Sequence, residues 1–192
     1  MAKKVLFIDR DGTLIKEAPP TYQLDSFSKL EFYPHVFHYM RKIAAEFDYE
    51  LVMVTNQDGL GTAAFPEESF WPLHQFVMKS FENESVVFSK VFIDRTYPAE
   101  QAPTRKPGTG MLTEYLNNPN YDIAHSFVIG DRITDMQLAK NLGCKGLWLN
   151  VDEELGAAEI ADTIKALKES TIVLASQHWA GIHKYLKEIM HA

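Results

Sequence analysis

The run Val5-Leu6-Phe7-Ile8-Asp9-Arg10-Asp11-Gly12-Thr13-Leu14 constrains the fold of this chain more than any other stretch. Four apolar residues lead straight into two carboxylates one residue apart, and a Gly-Thr turn follows. A run this short, continuous and closed by a turn signal predicts a strand buried on both faces, as in a parallel sheet. In open α/β sheets, ligands gather just beyond the carboxyl ends of such strands. Asp9 and Asp11 fall at that place. Two like charges so close together are costly unless a cation shares their site.

Further short apolar runs follow at Leu51–Thr55, Val91–Ile93, Ser126–Ile129, Gly146–Leu149 and Thr171–Leu174. Between them, apolar residues recur at helical spacing. Val36, Phe37, Met40, Ile43, Ala44 and Phe47 form one stripe, and Phe76, Val77, Ser80 and Phe81 another. A third comprises Ile133, Met136, Leu138, Ala139 and Leu142, with Gly143 as its stop signal. Ser176–Met190 reads as an amphipathic helix carrying Trp179, Ile182, Tyr185, Leu186 and Ile189 on one side. Alternation of strand and helix predicts a doubly wound α/β fold, a mainly parallel sheet with helices on both faces. Two connections, Ile15–Leu30 and Ile93–Gly108, are longer than linking requires, and long loops in compact domains are usually functional.

At 192 residues and 46% hydrophobic, the chain can bury one good core. No repeat, low-complexity tract or linker interrupts it, so residues 1–192 are expected to form a single domain. A net charge of -7 disfavours wrapping a phosphate backbone, and no nucleic-acid partner is expected. One cysteine, Cys144, excludes an internal disulfide, and nothing suggests an oxidising compartment. No apolar run approaches a membrane span and no secretory core precedes Asp9, so the expectation is a cytoplasmic protein without a membrane partner. Cys144 reads as a small buried residue, and Trp148 and Trp179 as core. The seven histidines lack metal-ligand spacing; His35, His38, His178 and His183 read as surface or capping residues.

Four separated segments carry the chemistry. They are Asp9-Arg10-Asp11-Gly12-Thr13, Val54-Thr55-Asn56-Gln57, Arg105-Lys106-Pro107 and Ile129-Gly130-Asp131-Arg132-Ile133-Thr134-Asp135. All but the third lie at strand ends, where a parallel sheet brings them together. Each alone is ordinary. Asp-x-Asp-Gly and Thr-Asn are common turns, Gly-Asp suits a helix N-cap, and most lysines are solvated. Together they offer acids, a hydroxyl, an amide and a cation, the inventory that phosphoryl transfer needs for charge neutralisation and in-line positioning.

The set resembles the haloacid dehalogenase superfamily of phosphotransferases, whose four motifs are an Asp-x-Asp pair, a Thr/Ser, a Lys and a closing acidic motif. The likeness covers most of the chain and implies that superfamily's Rossmann-like fold. More narrowly, Phe7–Leu14, Thr55–Thr62 and Val128–Arg132 resemble the histidinol-phosphate phosphatase family, the phosphatase portion of bifunctional histidine-biosynthesis enzymes. The resemblance implies Asp9 as nucleophile through an aspartyl-phosphate, and Asp11 as general acid and then base. Thr55 and Asn56 would hold phosphoryl oxygens, while Lys106 neutralises charge. Asp9, Asp131 and the Asp11 backbone carbonyl would bind Mg²⁺, with Asp135 supporting a metal-bound water or Lys106. The implied substrate is a small phosphate ester, L-histidinol phosphate, and the resemblance leaves two forms open, a stand-alone phosphatase or a domain followed by a covalent dehydratase domain in the full-length protein. The same motifs also serve heptose-bisphosphate and other sugar-phosphate phosphatases. From a different class, the chain could be a non-catalytic domain that binds phosphometabolites, against which the intact acids argue.

The chain departs from that family in one loop. Many relatives carry three Cys and one His before the Arg-Lys-Pro as a zinc site. Aligning on Arg105-Lys106-Pro107 puts Asp94, Thr96, Ala102 and Thr104 at those positions. No thiolate remains and alanine binds no metal, so no zinc is expected. Tyr97, Pro98 and Pro103 could stiffen the loop, and Asp94 could pair with Arg95 or Arg105. For the substrate's ammonium the first candidate is Glu17, with Gln57 and Asp58 behind it and Arg105 as a further contact. Arg10 should point away from the two acids if strand alternation persists, leaving it the pocket wall.

Overall fold

The computed structural model describes residues 2–149 and 157–190. Six strands form one sheet: β1 (Lys4–Ile8), β2 (Tyr49–Asn56), β3 (Lys90–Asp94), β4 (Phe127–Gly130), β5 (Lys145–Leu149) and β6 (Ile172–Ser176). Their order is β3-β2-β1-β4-β5-β6 and every pairing is parallel. The chain winds outward from β1 to β3, then crosses back to β4 on the other side. The order therefore reverses between β1 and β4, the switch point at which such sheets open a crevice. Every strand lies within a residue or two of its expected place.

Strand alternation divides the β1 side chains between two cores. Leu6 and Ile8 join Met53 and Ile129 on the face covered by α1 (Val36–Glu46), α2 (Glu67–Asn83) and α5 (Trp179–Met190). Val5 and Phe7 join Val52, Val54 and Val128 on the face covered by α3 (Ile133–Leu142) and the segment around Leu112 and Tyr115. The remaining helix, α4 (Ala157–Ser170), packs Leu167 with Met136 and Trp148 on that second face. Helices thus cover both faces, and β1 is buried on both sides, which is why its apolar run is continuous.

Gly143 ends α3 with φ of +81°, a left-handed turn that glycine adopts without Cβ strain. In α2 the buried residues are Phe70, Leu73, His74, Val77 and Phe81. Phe76, expected in that stripe, instead faces outward and meets Phe27 edge-on. His183, expected at the surface, is buried on α5 and bonds Glu46 of α1 at 2.8 Å. No apolar stripe announced α4, whose start follows residues outside the described ones. No helix among the described residues is long and apolar enough to cross a membrane.

Candidate active site

The chain leaves β1 at Asp9, whose backbone N–H still donates to the Ile129 carbonyl of β4 at 2.9 Å. Gly12 then turns with φ of +80°. A Cβ at Gly12 would lie 2.1 Å from Asp131 Oδ2, so only glycine lets the β1 loop approach the β4 loop this closely. Two buried indoles hold these loops from behind. Trp179 Nε1 donates to the Thr13 carbonyl at 3.0 Å, and Trp148 Nε1 to the Asp131 carbonyl at 2.7 Å. Asp9, Asp131 and Asp135 each place a carboxylate oxygen within 4.8 Å of the others.

Among the described residues Lys106 is the cation inserted among these acids. Its Nζ donates to Asp9 Oδ1 at 2.6 Å and to Asp135 Oδ1 at 2.7 Å, with all three side chains buried. Burial alone would lower the Lys106 pKa, but the charges of Asp135 and Asp9 outweigh it and hold the ammonium above its usual range. Asp135 also accepts from the Arg132 backbone N–H at 3.0 Å, capping α3, so both its oxygens are engaged. Asp9 is raised above the carboxylate range, by burial first and then by Asp135 and Asp11, against the pull of Lys106. Asp131 is pushed up to about 9 by burial and by Asp9, Asp135 and Glu17. One lysine leaves this half of the site short of positive charge.

Across the switch point, the ends of β2 and β3 supply hydrogen-bond donors. Gln57 Nε2 donates to Asp11 Oδ2 at 2.6 Å and to Thr55 Oγ1 at 2.8 Å, and Thr55 Oγ1 donates to the same Asp11 oxygen at 3.3 Å. Asn56 grips the Lys106 backbone, accepting from its N–H at 3.1 Å and donating to its carbonyl at 3.3 Å. Arg105 forks onto Asp58 at 2.6 and 3.2 Å and reaches the Thr96 carbonyl at 2.7 Å. Buried Asp94 accepts from the Thr96 N–H at 2.9 Å, Thr96 Oγ1 at 2.6 Å and Thr104 Oγ1 at 2.6 Å.

Residues 103–169 match the HAD-hydrolase-like family. Over 190 residues the chain is 50% identical to the histidine biosynthesis bifunctional protein HisB of Bacteroides fragilis. This chain belongs to the haloacid dehalogenase superfamily of hydrolases. The alignment covers 97% of the chain and 48% of that protein; for HisB of Spirosoma linguale the figures are 50% identity, 96% and 49%. The chain thus spans about half the length of these curated relatives. Among solved structures, D,D-heptose 1,7-bisphosphate phosphatase from B. bronchiseptica, complexed with magnesium and phosphate, superposes with a TM-score of 0.75 at 20% identity. It covers 98% of this chain and 99% of that one. A putative HAD-like phosphatase from Mesorhizobium loti superposes at 0.67 and 24% identity, covering 88% and 87%. At such identities the likeness is one of haloacid dehalogenase fold.

A hard divalent cation fits the acid half of this haloacid dehalogenase site. The donors are oxygens alone, Asp9 and Asp131 are raised above their usual range by burial and then by the charge of neighbouring acids, Asp135 among them, and Gly12 leaves the Asp131 carboxylate room that a Cβ would fill.

Several expected site residues have partners of their own. Glu17 accepts from Arg132 and lines a cleft of about 320 Å³ together with Gly12, Lys16, Tyr33, Pro34 and Asp131. Arg105 and Asp58 form one ion pair rather than two separate substrate contacts. Asp94 pairs with neither arginine: Arg95 bonds Glu67 at 2.6 Å, and two threonine hydroxyls and an amide complete Asp94 instead. Arg10 departs most from expectation. Strand alternation ends at Ile8, and the chain then turns, so the Arg10 side chain folds back onto Asp11. Sequence reasoning missed His74 beneath it, Tyr33 in the cleft and the backbone bonds of both indoles. A long polar side chain between two acids was the one signal for the first of these.

Proposed function

We propose that this chain is a magnesium-dependent phosphomonoesterase, acting on L-histidinol phosphate in the cytoplasm as the phosphatase domain of a histidine-biosynthesis protein that also carries a dehydratase domain. One observation carries the chemistry. Asp9 and Asp11 stand two residues apart, yet separate partners hold them: Lys106 on Asp9, and Gln57, Thr55 and Arg10 on Asp11. Carboxylates in unlike environments suit unlike roles.

In this reading Asp9 attacks phosphorus, forming an Asp9–phosphorus bond as the ester P–O bond breaks. Asp11 gives its proton to the leaving alkoxide. It then takes a proton from water, whose oxygen displaces Asp9 and releases phosphate. Lys106 keeps Asp9 ionised and in place, and Thr55 meets the phosphoryl oxygens. Asn56 serves indirectly, through its grip on the Lys106 backbone. A divalent cation held by Asp9, the Asp11 carbonyl and Asp131 would supply the charge that lets a carboxylate approach an anionic phosphate. The substrate assignment is supported by the HisB relatives. It is also supported by a cleft beside Asp131 that offers an acid, Glu17, and an aromatic ring, Tyr33, to an ammonium and an imidazole.

Phosphate release with Mg²⁺, measured in parallel on histidinol phosphate and heptose bisphosphate, tests this reading. The expected result is preference for histidinol phosphate and, for Asp9→Asn, a loss of at least about 10³-fold in kcat. Preference for the sugar would overturn the substrate, and full turnover by Asp9→Asn the mechanism. No release from any ester would favour a phosphometabolite-binding domain.

A further inference from the structure

We propose that Arg10 is a positioning residue for Asp11, its guanidinium fork fixing the orientation in which that carboxylate moves protons. The inference rests on the reading of Asp11 as acid and base, and extends it to a buried cluster behind the site.

Arg10 is 0% exposed. Its Nε donates to Asp11 Oδ2 at 3.0 Å and its Nη2 to Asp11 Oδ1 at 3.1 Å, a two-pronged contact that grips both carboxylate oxygens. Nη2 also donates to Gln57 Oε1 at 2.9 Å, while Gln57 Nε2 bonds the same Asp11. Behind the fork, Nη1 meets His74 Nδ1 at 3.3 Å, and the guanidinium carbon stands 4.9 Å from the centre of the Phe70 ring. His74 stacks on Phe70 at 5.2 Å, nearly parallel. Burial and the Arg10 charge lower the His74 pKa to about 4, so the ring is neutral and its Nδ1 accepts from Arg10.

A buried guanidinium carries a desolvation cost of several kcal/mol, and an apolar residue of similar size would fill the space more cheaply. Packing alone therefore does not account for Arg10. A planar fork does something that neither an apolar side chain nor a lysine can: it fixes the plane of the opposing carboxylate. The hydrogen bonds are also uneven. Asp11 Oδ2 accepts from Arg10, Thr55 and Gln57, whereas among these donors Oδ1 accepts from Arg10 Nη2 alone. Arg10 and its partners thus load Oδ2 with three donors and leave Oδ1, with one, the less encumbered oxygen.

The test exploits leaving groups. A p-nitrophenolate departs without a proton, whereas an alkoxide requires one, so loss of a properly aimed acid spares the first step only for the aryl ester. Pre-steady-state kinetics with Mg²⁺ on the 192-residue chain should show, for Arg10→Gln, a near wild-type burst of p-nitrophenolate followed by slow turnover. With histidinol phosphate the same variant should show no burst and a kcat lower by about 10²-fold. Arg10→Lys retains the charge without the fork and should not restore turnover. His74→Phe keeps the stack on Phe70 while removing the Nη1 partner, and should show the same selectivity at several-fold amplitude. It also carries the test if the Arg10 variants do not fold. Equal loss with both esters, rescue by lysine, or an unselective His74→Phe would each overturn the proposal. Asp11→Asn is the reference: if it lacks the aryl-ester burst, the acid–base reading fails and this inference with it. If it shows the burst and Arg10→Gln does not, Arg10 alone is wrongly assigned.

Discussion

The two halves of the site meet at the switch point between β1 and β4 and differ in what they lack. The β1–β4 half gathers Asp9, Asp131 and Asp135 around Lys106, and the first two are raised in pKa by burial and, after it, by the neighbouring acids. The β2–β3 half is a lattice of amides, hydroxyls and guanidinium groups in which the acids Asp58 and Asp94 each meet several donors. One half calls for a cation and the other is complete. The electrostatic imbalance of the site therefore lies on one side of the switch point, and the satisfied hydrogen-bond network on the other.

Lys106 joins the halves, so replacing it should produce the largest effect. Lys106→Met keeps the stem and removes the charge, leaving Asp9 and Asp135 buried without their shared partner. Breaking a buried pair from one side costs about 3–5 kcal/mol, measurable as a lower urea midpoint. Phosphate release should fall by about 10²–10³-fold, as for loss of a preorganised electrostatic contact. A variant with wild-type stability would mean that the acid half tolerates its own charge, and the two halves would no longer differ in this respect.

The second prediction concerns the cation. In metal-free protein the Asp131 pKa is raised from 3.8 to about 9, so the folded state keeps a proton that the unfolded chain releases. By linkage, that contribution to stability is fully present below pH 3.8 and lost as pH rises through about 9. Mg²⁺ should act in the opposite sense, raising Tm more at higher pH, with affinity climbing up to about tenfold per pH unit for each proton released. Asp131→Asn should flatten the pH dependence of the metal-free protein and abolish the Mg²⁺ response. Thermal melts in EDTA and in Mg²⁺ across this range give the comparison. A Tm indifferent to Mg²⁺ at every pH would remove the cation from the acid half.

The two halves were also unequally legible in the sequence. Asp9, Asp11 and Asp131 announce themselves because strand-end carboxylates follow apolar runs, and a parallel sheet gives those runs one common edge. Lys106 needed the resemblance, since it sits in a loop whose path no periodicity describes. The donor half depends on side chains that find one another across the β2–β3 edge: Asn56 with the Lys106 backbone, Arg105 with Asp58, Asp94 with Thr96 and Thr104. No spacing rule links such residues. Arg10 was misread for a related reason: alternation predicts direction only while the strand lasts, and β1 ends at Ile8. His74 fell outside the stripe read there, Phe76, Val77, Ser80 and Phe81, and its role emerges only from the arginine it meets.

The smallest expected effect tests whether the donor half holds itself together without metal. Asp94, Thr96 and Thr104 occupy three of the four positions that the family resemblance aligns with zinc ligands. Here one carboxylate receives two hydroxyls and an amide at 2.6–2.9 Å. We propose that this hydrogen-bonded clasp orders the loop in place of zinc. Hydrogen bonds to a charged group contribute about 1.5–3 kcal/mol, so Asp94→Ala should lower stability by about 2–3 kcal/mol. Thr104→Val, which removes one bond, should cost about 1 kcal/mol. Because Lys106 follows Thr104 by two residues, kcat should fall several-fold in Asp94→Ala while the Mg²⁺ response of the acid half persists. Elemental analysis of the purified protein should find no stoichiometric zinc, and a zinc chelator should leave Tm unchanged. Zinc at one equivalent, or an Asp94→Ala variant as stable as the parent, would show that something else orders the loop.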